Sequence, residues 1–227
     1  MEPLPWGMFA CESIMVFSGA ELWGFYFRVD SGYNDLMEKL SHFDSNLGQP
    51  KIYLQNPHFK MAKKFLSEGT YSEAIESFVI VDTDVVLVNK DSKKILLLAR
   101  RRHKPMQGLW VIGGRIFAGE NELSAIQRIF KRETSLEIAP SRFHFVAMNR
   151  YIWSEREQEP QDKGSDNLCY TFGLVLDANE IKIVSGHLDK EEYDSSSGLQ
   201  EFSREELINE NVHPAIIDLY DSIFHAS

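Results

Sequence analysis

Cysteine is scarce in this 227-residue sequence, which contains only Cys11 and Cys169. Two thiols so far apart build no disulfide framework and match no zinc-ligand spacing. A reducing compartment is the simplest reading. Long uncharged apolar runs are missing as well. Glu12, Glu21, Arg28 and Asp30 interrupt the apolar N-terminal stretch, so it is not continuous enough for a membrane span. Met1-Glu2-Pro3 lacks the positive start of a secretory signal. The expectation is a cytoplasmic protein with no membrane partner. Positive charge is also short, with 24 Lys and Arg against 34 Asp and Glu, a net charge of −10. Broad nucleic-acid binding needs a positive field, so no nucleic-acid partner is expected. A local basic pocket remains compatible with this balance.

Core-building material is plentiful. Hydrophobic residues make up 43% of the chain and include 15 Phe, 8 Tyr and 4 Trp, which excludes disorder of the whole. Residues 1–55 differ from the rest. Trp6, Phe9, Phe17, Trp23, Phe25, Tyr26 and Phe27 crowd there without a helical or strand period. This segment reads as an N-terminal extension that packs on the main domain or on a partner subunit, with a poorly ordered leader or an over-extended gene start as the alternative. Residues 70–225 read as the main domain.

Within that domain the spacing predicts a helix over Pro57–Phe65 and a second one from a Thr70 cap to Ser77. Phe78–Val81 and Val85–Val88 form one apolar, β-branched run, and Asn89–Ser92 is a turn signal. Ile95–Leu98 follows as the second arm of a hairpin. Arg100–Pro105 is a basic loop, and Leu109–Ile112 is a short buried strand stopped by Gly113 and Gly114. Glu122–Ser135 is a helix with Leu123, Ile126 and Phe130 on one stripe. Strands are predicted over Phe143–Tyr151 and Leu168–Leu176, with polar loops over Glu155–Asn167 and Ser185–Gln200. Two helices, Arg204–Asn209 and Pro214–Phe224, close the chain. Strands before, between and after helices predict an α/β sheet flanked by helices.

The segment richest in chemistry is Gly113-Gly114-Arg115-Ile116-Phe117-Ala118-Gly119-Glu120, followed by the helix that carries Arg128 and Glu133. Glycine lets the backbone approach a ligand closely. Carboxylates and carbonyl oxygens are magnesium's ligands, and arginine forks onto carboxylates and phosphates. The pattern describes a metal–phosphate site. A basic cluster at Arg100–Lys104, set in a chain of net charge −10, favours a small anionic ligand.

This segment resembles the signature box of the Nudix hydrolases: Gly, five residues, Glu, seven residues, then Arg-Glu-apolar-x-Glu-Glu-x-Gly-apolar. Gly114, Glu120, Arg128, Phe130, Glu133 and Leu136 match it. Ile129, Arg132 and Ser135 replace two Glu and the Gly. The departures resemble those of the GDP-mannose mannosyl hydrolase branch. So do Asp84, Arg101, the Lys104-Pro105-Met106-Gln107-Gly108-Leu109-Trp110 run, Arg115, and Asn211-Val212-His213.

The resemblance implies an α/β/α sandwich with a mixed sheet. It also implies hydrolysis of a nucleoside-diphosphate sugar, with water attacking the anomeric carbon. One magnesium ion would be held by Glu133 and Gly114, with Glu120 in its box position mainly fixing Arg128. Arg101 and Arg115 would hold phosphate oxygens and Asp84 would touch substrate. A homodimer is suggested by the same likeness and by the aromatic N-terminus.

The residues support a reduced metal count on their own. Positions 129, 132 and 133 span roughly 100° of helix, and here they carry Ile, Arg and one Glu. Arg132 is a candidate to pair with a phosphate oxygen in place of an ion. The branch's Gln-His base pair is absent from the loop after His187. Glu192 is the favoured replacement for the branch's metal-binding Gln, and His187, Glu191 and Asp194 are the candidate bases. Tyr151 and Trp153 are candidates to stack on a base, together with Asn149 and Arg150 as pocket neighbours. Other functions stay open: attack at phosphorus, a binding module without turnover, or an acidic protein-interaction domain.

Overall fold

A computed structural model describes residues 50–225 except 57 and 93. The expected extension therefore lies, up to residue 49, outside the described residues, as does Cys11. Residues 50–67 run without helix and are exposed. The helix expected over Pro57–Phe65 is not formed in its described part. Its apolar residues, Phe59, Met61 and Phe65, stay largely in solvent, leaving no buried stripe to stabilise a helix. Helix α1 is Glu68–Ser77, and its cap is Ser67, whose side chain accepts from the Thr70 N–H.

Strand β1, Ile80–Asn89, is the spine of a seven-stranded mixed sheet. It pairs in parallel with β6, Ser165–Leu176, along its whole length. Its other edge is shared. Asp82–Val85 pair with β4, Ile112–Arg115, and Leu87–Val88 pair with β2, Leu96–Arg101. Strand β3, Gly108–Trp110, and β7, Gln200–Phe202, pair with β2, while β5, His144–Trp153, pairs with β6. The segment read as one strand over Leu109–Ile112 is thus two strands with different partners. Gly113 and Gly114 lie inside the second rather than ending the first.

Alternation along β1 explains its continuous apolar run, because both faces are covered. Val86 and Val88, with Leu96 and Leu98 of β2, face helices α4, Arg204–Asn209, and α5, Pro214–Phe224. Val85 and Leu87, with Leu97 and Ala99, face helices α2, Glu122–Thr134, and α3, Ala178–His187. The result is the expected α/β/α sandwich. Ile126, Ile129 and Phe130 of α2 are buried, and a fully buried ring such as Phe130 stabilises by about 1.5–3 kcal/mol. Ser135 ends this helix in the left-handed conformation (φ 58°), so the box turn survives without its glycine. Helix α3 lies in a stretch given no helix above. Its Asp177–Glu180 capping box was the readable signal.

Candidate functional site

The β1–β4 pairing sets the first wall. Asp84 lies opposite Gly113, and Asp82 opposite Arg115. A Cβ on Gly113 would meet the Asp84 carboxylate at 1.8 Å and the Thr83 carbonyl at 2.7 Å. Glycine is required there so that Asp84 can lean across β4. Asp82 accepts from Asn167 Nδ2 at 2.6 Å. Burial pushes the Asp84 carboxyl up to about 7, helped by the neighbouring Asp82, whose own carboxyl burial also raises. Asp84 was expected from the sequence. Asp82 and Asn167 were not, because their meeting depends on the β1–β6 register.

The loop after β4 is closed by Glu120. Arg128 forks onto it through Nε and Nη2, both at 2.8 Å, and also donates to the Arg115 carbonyl at 2.9 Å. The Phe117 N–H and Lys63 Nζ add bonds at 3.1 and 2.9 Å. Burial works against the ionised form of Glu120, but these donors outweigh it and hold the carboxyl down at about 2. The described bonds of Arg128 all go to this loop, and its guanidinium lies 4.1 Å from the centre of the Phe117 ring.

Glu133 is the buried counterpart. Its side chain is 1% exposed. Arg132 Nη2 donates to Oε1, and the Tyr193 hydroxyl donates to Oε2 at 2.6 Å. Burial raises the Glu133 carboxyl, opposed by both partners. Tyr193 itself is fully buried and was missed by sequence reasoning, since nothing local in Glu192-Tyr193-Asp194 marks its contact with α2. An isolated bridge between Tyr193 and Arg101 brings that loop to β2.

Several of these residues line a cavity of about 510 Å³, from whose lining Glu120, Lys63 and Tyr193 are absent. Arg101, Arg115, Arg132, Glu133 and Glu192 line it, as do Asp82 and Asp84. Arg101 Nη2 is 3.9 Å from Glu192, and its buried Nε has no partner among the described residues. Glu192, expected in place of a metal-binding Gln, reaches the cavity, and none of the three candidate bases does. His187 bonds the Ile183 carbonyl, Asp194 is tied to Ser196 and lies 3.7 Å from Arg102, and Glu191 lies outside the lining. Tyr151 and Trp153 reach the cavity and stack on each other at 5.4 Å, with Trp110 edge-on. Asn149 and Arg150 do not line it, and Arg150 pairs with Asp166 outside. His213 caps α5 and His225 bonds Asp221, so both act as helix-end residues.

The domain model of the Nudix family matches residues 80–221. The chain belongs to the Nudix family. No curated protein matches it. Similar solved structures include the MutT NUDIX hydrolase from Burkholderia pseudomallei, 16% identical, TM-score 0.46, covering 63% of this chain and 96% of that one. The C. elegans Ap4A hydrolase is 15% identical, TM-score 0.42, covering 66% of this chain and 100% of that one. The E. coli dihydroneopterin triphosphate pyrophosphohydrolase is 14% identical, TM-score 0.46, covering 66% of this Nudix chain and 100% of the other. No helix among the described residues is long and apolar enough to cross a membrane.

Hydrolases of the Nudix family act on small nucleotide substrates and generally use divalent ions such as magnesium. The donors present here decide whether one suits this chain. Ile129 is buried where the box has Glu, and Arg132 occupies the next such place. Both oxygens of Glu133 already accept from protein donors, as do both of Glu120. No group of three His, Cys, Asp or Glu among the described residues is arranged to hold a metal ion. The donor set does not fit a divalent ion, and the expectation of one magnesium on Gly114, Glu120 and Glu133 finds no matching cage.

Proposed function

We propose that this Nudix protein hydrolyses a nucleoside diphosphate linked to a sugar, GDP-mannose-like in type, with water attacking the anomeric carbon. The observation that carries this reading is the shared cavity, where the guanidinium groups of Arg101, Arg115 and Arg132, among others, meet buried carboxyls and stacked aromatic rings. Arg101 and Arg115 hold phosphate oxygens and take up charge as the nucleoside diphosphate departs. The orphaned Nε of Arg101 is the donor awaiting such an oxygen. Tyr151 or Trp153 offers a face to the base. Asp84 faces the sugar. Glu192 accepts the proton of the attacking water, whose oxygen bonds to the anomeric carbon as the carbon–oxygen bond to the diphosphate breaks. Arg128 acts at a distance, pinning the Gly114–Glu120 loop to α2. Glu133 orients Arg132 and Tyr193.

Attack at phosphorus is the second reading, favoured by the same cluster of guanidinium groups, which can equally stabilise charge on a phosphoryl group. Turnover of a nucleotide-sugar panel in oxygen-18 water separates the two. Label in the released sugar is the expected result, and label in a phosphate overturns it in favour of phosphorus attack. Binding without turnover of any member identifies a recognition module instead.

A further inference from the structure

We propose that the guanidinium of Arg132 replaces the divalent ion in this site, so that the chain grips a diphosphate with arginines alone. This rests on the reading that the cavity takes a nucleoside diphosphate, and it adds that no metal is needed to hold one. The placement of Arg132 is what points there. Helix α2 sets it beside Glu133, the one remaining carboxylate of the three box positions, and its Nη2 takes Oε1 of that carboxylate. Tyr193 takes the other oxygen from the opposite side. The lone pairs that a cation would recruit are thus shared with a fixed positive charge and a hydroxyl.

The third box position reinforces this. Ile129 is fully buried, with its Cδ1 3.7 Å from where a Cβ of Gly114 would stand. Apolar carbon therefore lies between the glycine bend and the helix. Magnesium seeks a near-octahedral set of oxygens, and the box positions here offer it one carboxylate whose two oxygens are already engaged.

Arg132 also keeps capacity to bind. Guanidinium carries five N–H donors, and the single described hydrogen bond of Arg132 uses one of them. The side chain is 52% exposed and lines the cavity. Its remaining donors can fork onto phosphate oxygens, as can those of Arg101 and Arg115. Glu192 stands 3.9 Å from Arg101 and acts electrostatically on Arg132 as well, so its negative charge offsets the repulsion between the two guanidinium groups. Anchoring by Glu133 gives Arg132 the fixed position that an exposed arginine lacks.

The test measures binding, which keeps it distinct from turnover. The full chain is titrated with GDP in excess chelator and again with magnesium, and separately with manganese followed by electron paramagnetic resonance. The expected results are GDP affinity unchanged by chelator and no stoichiometric loss of the free-manganese signal. Arg132→Gln should weaken GDP binding by at least about tenfold with magnesium present or absent, and Arg132→Lys should recover part of it. Arg132→Glu should create a manganese site that the natural chain lacks. GDP binding that collapses in chelator, a stoichiometric manganese site in the natural chain, or undiminished affinity in a folded Arg132→Gln variant overturns the proposal. A chain that binds GDP this way but hydrolyses no nucleotide sugar leaves the proposal standing and defeats the hydrolase reading alone.

Discussion

Glu120 and Glu133 are thirteen residues apart in one loop–helix unit, yet they are held in opposite ways. Glu120 sits at the open end, where Arg128, Lys63 and the Phe117 N–H converge on it and favour its charge. Glu133 sits at the closed end, where burial disfavours the charge and Arg132 and Tyr193 recover part of the loss. The first carboxylate is a clasp between loop and helix. The second is a buried polar centre, and removing it strands the buried Tyr193 hydroxyl and releases Arg132. Position in the box therefore does not determine role. The number of donors and the access of water do.

The largest effect that sharpens this contrast is expected at the closed end. Glu133→Ala leaves the Tyr193 hydroxyl buried without an acceptor and frees Arg132, which should cost about 2–4 kcal/mol in urea unfolding. Glu133→Gln, which keeps an acceptor for Tyr193, should cost less than half as much. A smaller difference between the two variants would show that the hydroxyl finds another partner.

The pH dependence comes next in size and has opposite signs at the two ends. The Glu120 carboxyl falls from its ordinary 4.5 to about 2 in the fold, so its contribution is fully present above about 4.5 and is lost as pH drops toward 2. Glu120→Gln should flatten that acid limb, by about 1 kcal/mol once solvent screening is allowed for. The Glu133 carboxyl is raised, so stability falls as pH climbs through 4.5 toward its folded value. Glu133→Gln should remove that decline. Unfolding midpoints across acid pH read both, and slopes of the same sign would erase the distinction.

The smallest effect belongs to Lys63. Its side chain is 49% exposed and it contributes one of several donors to Glu120. Lys63→Ala should change stability by no more than about 0.5 kcal/mol. A loss comparable to that of Glu120→Gln would mean that the segment before α1, rather than Arg128, carries the clasp.

What was legible in the sequence follows from how local each feature is. The apolar β-branched run of β1, the stripe of α2, the Ser203 cap and the Pro214 start of α5 are written in neighbouring residues, and all appear in the fold. The Gly114–Glu133 spacing likewise brings loop and helix together. The contacts that give the site its character are not local. Asn167 reaches Asp82 across 85 residues, and Tyr193 reaches Glu133 across 60. Strand register and loop closure decide these meetings, and neither leaves a pattern along the chain. The helix expected over Pro57–Phe65 shows the converse, a period without a surface to bury it. Gly113 and Gly114 were read as a stop because glycine weakens strands. Here, clearance for Asp84 outweighs that cost at Gly113.

Arg156 ties the polar loop between β5 and β6 to α1. The guanidinium, 2% exposed, donates to the Ser72 hydroxyl and to Glu76, both at 2.7 Å, and to the Gln158 carbonyl at 3.1 Å. Two of those acceptors lie ahead of residue 80, where the matched family segment begins. A fragment cut at that boundary would lose Ser72 and Glu76 as acceptors, leaving this guanidinium with backbone carbonyls alone and no anionic partner.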